Sequence, residues 1–311
     1  MQVGFIGLGT MGTSMAANLR TAGHSLTVYD LRREAAAPHL AAGAAWGASP
    51  AAVAAASEVI FTSLPGPPEV KAVALGPDGL LARMPKGRAY FDLSTNAPAT
   101  VREICGRFAE RGAYMLDAPV SGGPRGAVSG KLAIWVGGEA AIFERYRPLL
   151  DAIGDRARYI GPIGAGTVAK LVHNCAGYAI QRVLSEVFTM GVKAGVEPLA
   201  LFEAVRQGAA GRRRTFDALV DQFLPGSYDP PAFSLRLAHK DVGLATALAR
   251  EIGVPMPMAE LAFAELDEAM ARGWSERDSR VAMLLQQERA GVRIAVDPAR
   301  VREAVERDGR A

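Results

Sequence analysis

Val3-Gly4-Phe5-Ile6-Gly7-Leu8-Gly9-Thr10-Met11-Gly12 opens the chain and decides its fold. The first four residues form a short, mainly apolar run. Gly7, Gly9 and Gly12 then fall at G-x-G-x-x-G spacing, and Ser14-Met15-Ala16-Ala17-Asn18-Leu19-Arg20 has helical character. Strand, glycine turn and helix are the context a dinucleotide fingerprint requires. Gly7 permits the tight turn, Gly9 lets a pyrophosphate approach the backbone, and Gly12 lets helix and strand pack closely. The helix start, with Leu8, Thr10 and Met11 between the glycines, offers N–H groups and a positive dipole end to phosphates. Leu26-Thr27-Val28-Tyr29-Asp30 reads as a second strand, ending in an acid that suits an adenosine ribose. The competing reading is a glycine-rich turn with no ligand.

The alternation continues outward from this unit. Residues 34–42, 50–56 and 68–75 read as helices, and 44–46, 58–64 and 89–93 as strands. Ser94-Thr95-Asn96 is expected to cap a helix over 97–111. Such alternation predicts a parallel sheet with helices on both faces, and ligands beyond the carboxyl ends of its strands. Leu64, Pro65 and Thr95 lie at such ends and are expected to meet the cofactor, although each also suits an ordinary loop or cap. Tyr114-Met115-Leu116-Asp117-Ala118-Pro119-Val120 reads as one strand running into Ser121-Gly122-Gly123-Pro124. There, open backbone N–H groups and a hydroxyl suit a carboxylate, and a plain tight turn is the alternative. Residues 132–137 and 158–160 read as further strands, with a helix over 139–150.

The stretch 161–193 shows no breaker between its glycine start and Gly191. A helix over 165–191 would span about 40 Å. Its composition predicts burial on most faces. Lys170 and Asn174, four apart, share one face. A lysine in such a rod is either used chemically or snorkels to a domain edge. Beyond Gly191 only helical patterns remain, over 198–207, 215–223, 233–252, 258–272 and 279–288. Residues 291–311 are charged and are expected to be peripheral or partly disordered.

The chain has 311 residues, 50% hydrophobic and 22% charged, with net charge +3, a balance that suits a globular protein of two domains. Basic residues are scattered, which argues against a nucleic-acid partner. Arg212, Arg213 and Arg214 form the one compact basic run; they either meet an acidic substrate end or are solvated. Cys105 and Cys175 read as reduced thiols of a cytoplasmic protein. Neither a signal peptide nor a membrane-length apolar run is expected, and the four histidines show no metal spacing.

Four motifs together resemble the β-hydroxyacid dehydrogenase family, which includes 3-hydroxyisobutyrate dehydrogenases. They are Gly7-Leu8-Gly9-Thr10-Met11-Gly12, Asp117-Ala118-Pro119-Val120-Ser121-Gly122-Gly123, Gly164-Ala165-Gly166-Thr167-Val168-Ala169-Lys170 with Asn174, and Lys240-Asp241. The resemblance implies an α/β fold: an N-terminal Rossmann-type doubly wound sheet over 1–162, then a long interdomain helix and an all-α domain over 163–311. It places the substrate site at their interface and dimerisation in the helical part. It further implies hydride transfer between NAD, with NADP as a possibility, and a small 3-hydroxy acid or its semialdehyde, in a homodimer or homotetramer. Lys170 would be the catalytic acid and base. Ser121, Gly122, Gly123 and Asn174 would hold the substrate carboxylate or hydroxyl, and Lys240 would close over the nicotinamide side. His173 is either a second proton group or a packed helix residue. Imine reduction on the same architecture is the near alternative, and a non-catalytic dinucleotide-binding protein the remote one.

Overall fold

The computed structural model describes residues 1–193, 195–208, 218–251 and 257–307. These divide into two compact units, Met1–Val172 and His173–Ala311.

The first unit is built on a nine-stranded sheet. Six strands form its parallel body: β1 (Gln2–Ile6), β2 (Ser25–Tyr29), β3 (Ala45–Trp46), β4 (Val59–Thr62), β5 (Ala89–Asp92) and β6 (Tyr114–Asp117), in the order β3-β2-β1-β4-β5-β6. The order reverses at β1, and the crevice beyond the strand ends there is where doubly wound sheets bind ligands. Side-chain alternation splits each central strand between two cores. Val3, Phe5, Val59, Phe61, Ala89 and Phe91 face one, with α1 (Gly12–Thr21) and a helix over Ala140–Ile153. Ile6, Ile60, Tyr90 and Met115 face the other, with helices over Pro50–Ala56, Pro67–Leu75 and Pro98–Glu110. Both faces are thus covered, as an apolar parallel sheet needs.

The parallel expectation fails at the far side. Residues 114–120 make two strands rather than one, because the chain breaks at Ala118-Pro119 and re-forms as β7 (Val120–Ser121). β8 (Leu132–Gly137) runs antiparallel to β6 and β7, and β9 (Gly154–Gly161) is longer than its apolar pattern suggested. The triplet Ser94-Thr95-Asn96 does not cap its helix. That helix starts at Pro98 after Ala97, which makes no side-chain cap bond, and Ser94 and Asn96 bond Asp92 instead.

The long helix runs over Ala165–Lys193 and crosses the division between the units. It is less buried than its composition suggested: Val172 is 64% exposed and Ile180 45%. His173 is exposed rather than packed.

The second unit is helical among the described residues, with helices over Pro198–Gln207, Leu235–Glu251, Pro257–Ala271, Leu284–Ala290 and Pro298–Arg307. The reading of 215–223 as helix does not hold where it is described, since 218–226 are 3-10 and turn. The described part of the charged tail, 291–307, is not peripheral. Ile294, Val296, Val301 and Ala304 are buried against Phe202, Phe223 and Leu224, and Val296 N–H donates to the Leu224 carbonyl at 2.7 Å. Scattered apolar residues in an otherwise charged segment find one core. No helix among the described residues is long and apolar enough to cross a membrane.

Candidate functional site

The glycine turn has the geometry its spacing demands. Gly7 has φ +91°, and a Cβ there would lie 2.2 Å from the Ser63 carbonyl oxygen. A Cβ on Gly12 would lie 1.8 Å from the Gly7 oxygen, so α1 sits directly on the turn. A Cβ on Gly9 would meet nothing within 4 Å. Two glycines are therefore sealed by protein and the middle one faces open space, which fits a pyrophosphate passing over the backbone. The Leu8 side chain is buried and Met11 packs on the same core, while Thr10 is exposed. Leu8 N–H donates to Oδ2 of Asp30 at 2.7 Å, and Arg32 N–H donates to Oδ1 at 2.9 Å.

At the ends of β4 and β5 a buried carboxylate organises the two loops. Asp92 accepts from the Thr62 hydroxyl at 2.9 Å, from Ser94 N–H at 3.1 Å and from the Asn96 amide at 2.8 Å. Ser94 Oγ in turn accepts from Leu64 N–H at 2.9 Å. Burial raises the Asp92 pKa, and these donors oppose the rise. The network fixes the backbone of Leu64; Pro65 is exposed and Thr95 half-buried alongside.

From Asp117, the last residue of β6, the chain reaches Ser121, Gly122 and Gly123 within six residues. Gly122 has φ +137° and Gly123 φ +60°, conformations that residues with side chains rarely adopt. Ser121 is half-buried and both glycines are exposed. Asp117 is buried and accepts from Gly164 N–H at 2.7 Å and Thr167 N–H at 2.5 Å. These are the residue before the long helix and its third residue, so the carboxylate caps that helix. Burial raises the Asp117 pKa, and the two backbone donors oppose it. Lys170, half-buried, follows in the second turn.

Within the second unit, Asn174 donates to Oδ2 of Asp241 at 2.5 Å, and Lys240 Nζ lies 2.9 Å from Oδ1 of the same buried acid. Sequence reasoning gave roles to Asn174 and Lys240 but none to Asp241. Asp92 and Asp117 were missed in the same way. Each ends an apolar strand, where an acid without a partner would be costly, and that was the available signal. Arg212, Arg213 and Arg214 lie outside the described residues. Among the described residues no group of three or more His, Cys, Asp or Glu could hold a metal ion.

Comparisons with known proteins fit this geometry. Residues 2–161 match the family model described as the NAD binding domain of 6-phosphogluconate dehydrogenase. Residues 164–285 match the model described as NAD-binding of NADP-dependent 3-hydroxyisobutyrate dehydrogenase. The chain is 35% identical over 295 residues to 2-(hydroxymethyl)glutarate dehydrogenase of Eubacterium barkeri, covering 95% of this chain and 98% of the relative. It is 37% identical over 265 residues to 3-hydroxyisobutyrate dehydrogenase of Pseudomonas aeruginosa, covering 84% and 89%. Among solved structures it is similar to Mycobacterium tuberculosis 3-hydroxyisobutyrate dehydrogenase with L-serine. The TM-score is 0.82 at 30% identity, covering 91% of this chain and 98% of the other.

Proposed function

The chain belongs to the β-hydroxyacid dehydrogenase family, and from that premise we propose that Lys170 is the proton-transfer group of its reaction. The chain is an oxidoreductase that moves a hydride between NAD(H), or NADP(H), and a small 3-hydroxy acid or its semialdehyde. The observation that carries the cofactor assignment is the turn in which Gly7 and Gly12 are sealed and Gly9 is open. The backbone of residues 7–12 holds the pyrophosphate and Asp30 the adenosine ribose. Leu64, Pro65 and Thr95 contact the cofactor, and Lys240 closes over its nicotinamide side. Residues 1–162 are the dinucleotide-binding domain, and 163–311 form the all-α domain with the long helix.

When bound, the nicotinamide supplies or accepts the hydride. In reduction, the Lys170 ammonium donates a proton to the oxygen as negative charge develops there, and stabilises that charge. In oxidation, the neutral amine takes the hydroxyl proton. Ser121 Oγ and the N–H groups of Gly122 and Gly123 bind the substrate carboxylate, and Asn174 binds substrate by its amide. Association into a homodimer or homotetramer completes this reading. The two free cysteines suit a reducing cytoplasm.

The test is cofactor oxidation with a panel of C3 to C5 semialdehydes, some with a second acidic group, beside cyclic imines. Turnover of a semialdehyde is expected. Turnover of imines alone would replace this reading with imine reduction.

A further inference from the structure

We propose that Asp117 is a positioning residue for proton transfer: it locks the first turn of the Lys170 helix to the strand end that leads into Ser121-Gly122-Gly123. The proposal rests on Lys170 as the proton-transfer group. One carboxylate makes the link. Its Oδ1 accepts from Gly164 N–H and its Oδ2 from Thr167 N–H. Asp117 itself ends β6, four residues before Ser121, and pairs in register with Gly137 of β8. Lys170 is three residues beyond Thr167, so one turn of helix separates the anchored amide from the amine.

The packing around this link leaves no room for slack. A Cβ on Gly137 would lie 2.4 Å from Asp117 Oδ1 and 2.9 Å from the Ala165 and Gly166 nitrogens. A Cβ on Gly166 would lie 2.1 Å from the Trp135 carbonyl oxygen. Two glycines therefore bring the helix start against the ends of β6 and β8, and Asp117 sets its rotation there. A two-point acceptor fixes a helix end more tightly than a one-point cap. Rotation of the first turn would swing the Lys170 amine relative to the Ser121 loop, and proton transfer is sensitive to such displacement. Asparagine cannot reproduce the link, because its amide nitrogen would face one of the two N–H donors.

The experiment is a double-mutant cycle on the full chain with Asp117→Asn, Lys170→Ala and the pair, read by single-turnover hydride transfer, NADH affinity and melting. Asp117→Asn is expected to lower the hydride-transfer rate by about ten- to a hundred-fold, with NADH affinity unchanged. In the Lys170→Ala background it should lower the rate no further, since it acts through the lysine. A multiplicative loss in the double variant, a normal rate in Asp117→Asn, or a parallel loss of NADH affinity would each overturn the proposal. A near-normal rate in Lys170→Ala would instead remove the proton-transfer reading, and Asp117 with it. If Asp117→Asn does not fold, Gly137→Ala, whose Cβ would lie 2.4 Å from Asp117 Oδ1 and displace it while leaving the carboxylate in place, carries the same cycle. Failure of both to melt cooperatively would assign Asp117 to folding alone and overturn the positioning role.

Discussion

The backbone N–H of Leu8 donates to Asp30 Oδ2 at 2.7 Å, so the acid after β2 closes the glycine turn after β1. Asp30 therefore holds the turn in addition to the ribose role proposed for it. Its charge disfavours a 2′-phosphate. Arg32 Nε is 4.0 Å from Asp30 Oδ1, and the Arg33 guanidinium sits 5.4 Å over the Trp46 ring, so both arginines already have partners. NAD is expected to be preferred over NADP in kcat/KM. Asp30→Ala should weaken NAD binding, relax the preference, and lower stability by about 1–3 kcal/mol for the orphaned amide. A wild-type preference for NADP would hand the decision to the arginines.

Gly9 and Gly12 differ in what a methyl group would meet, so alanine separates their tasks. At Gly12 the Cβ collides with the Gly7 carbonyl oxygen, and Gly12→Ala is expected to lose several degrees of melting temperature and cofactor affinity together. At Gly9 the Cβ meets no protein atom within 4 Å. Gly9→Ala should therefore melt within about 0.5 kcal/mol of wild type yet bind NADH more weakly. Calorimetry and a fluorescence titration on both variants check the contrast. Unchanged affinity in Gly9→Ala would mean that nothing approaches that backbone.

Asp92 makes stability depend on pH in a direction opposite to that of a surface ion pair. Burial raises its pKa above the ordinary 3.8. Between 3.8 and the raised value the native protein binds more protons than the unfolded chain, so stability falls as pH rises through that window and levels off above it. Asp117 acts with the same sign. Denaturant midpoints measured across that window should fall with pH less steeply in Asp92→Asn than in wild type. Equal slopes would show that Asp92 does not titrate there.

What the sequence disclosed, and what it hid, follows from the range of each interaction. The glycine turn was legible because each glycine answers a local backbone demand within a few residues. The parallel strands were legible because Val3, Phe5 and Ile6, or Val59, Ile60 and Phe61, divide between two faces by alternation. β7 was not, since Val120 and Ser121 are too few to show a period. The buried acids were opaque for another reason. Asp117 finds its donors 47 and 50 residues away, and Asp241 finds Asn174 across 67 residues, so no local pattern marks the bond. The tail misled because its charge hides Ile294, Val296 and Val301, which the fold gathers onto Phe223 and Leu224.

Lys170 is the residue on which the chemical reading stands. If it is the proton donor, Lys170→Ala should lose hydride-transfer rate and keep cofactor affinity, because the glycine turn and Asp30 are untouched. A lost general acid costs about 10²–10⁴ in rate, or roughly 3–5 kcal/mol of barrier. Lys170→Arg should fail nearly as badly, since guanidinium keeps the charge but does not release its proton near neutral pH. Asn174→Ala should be milder, disturbing orientation of the substrate rather than proton transfer. A lysine with only a structural task would behave otherwise: Lys170→Arg would stay active, and Lys170→Ala would chiefly lower the melting temperature. Turnover and NADH binding, measured on the same folded variants, decide between the two. Near-normal kcat in Lys170→Ala would leave a dinucleotide-binding fold whose proton donor lies elsewhere.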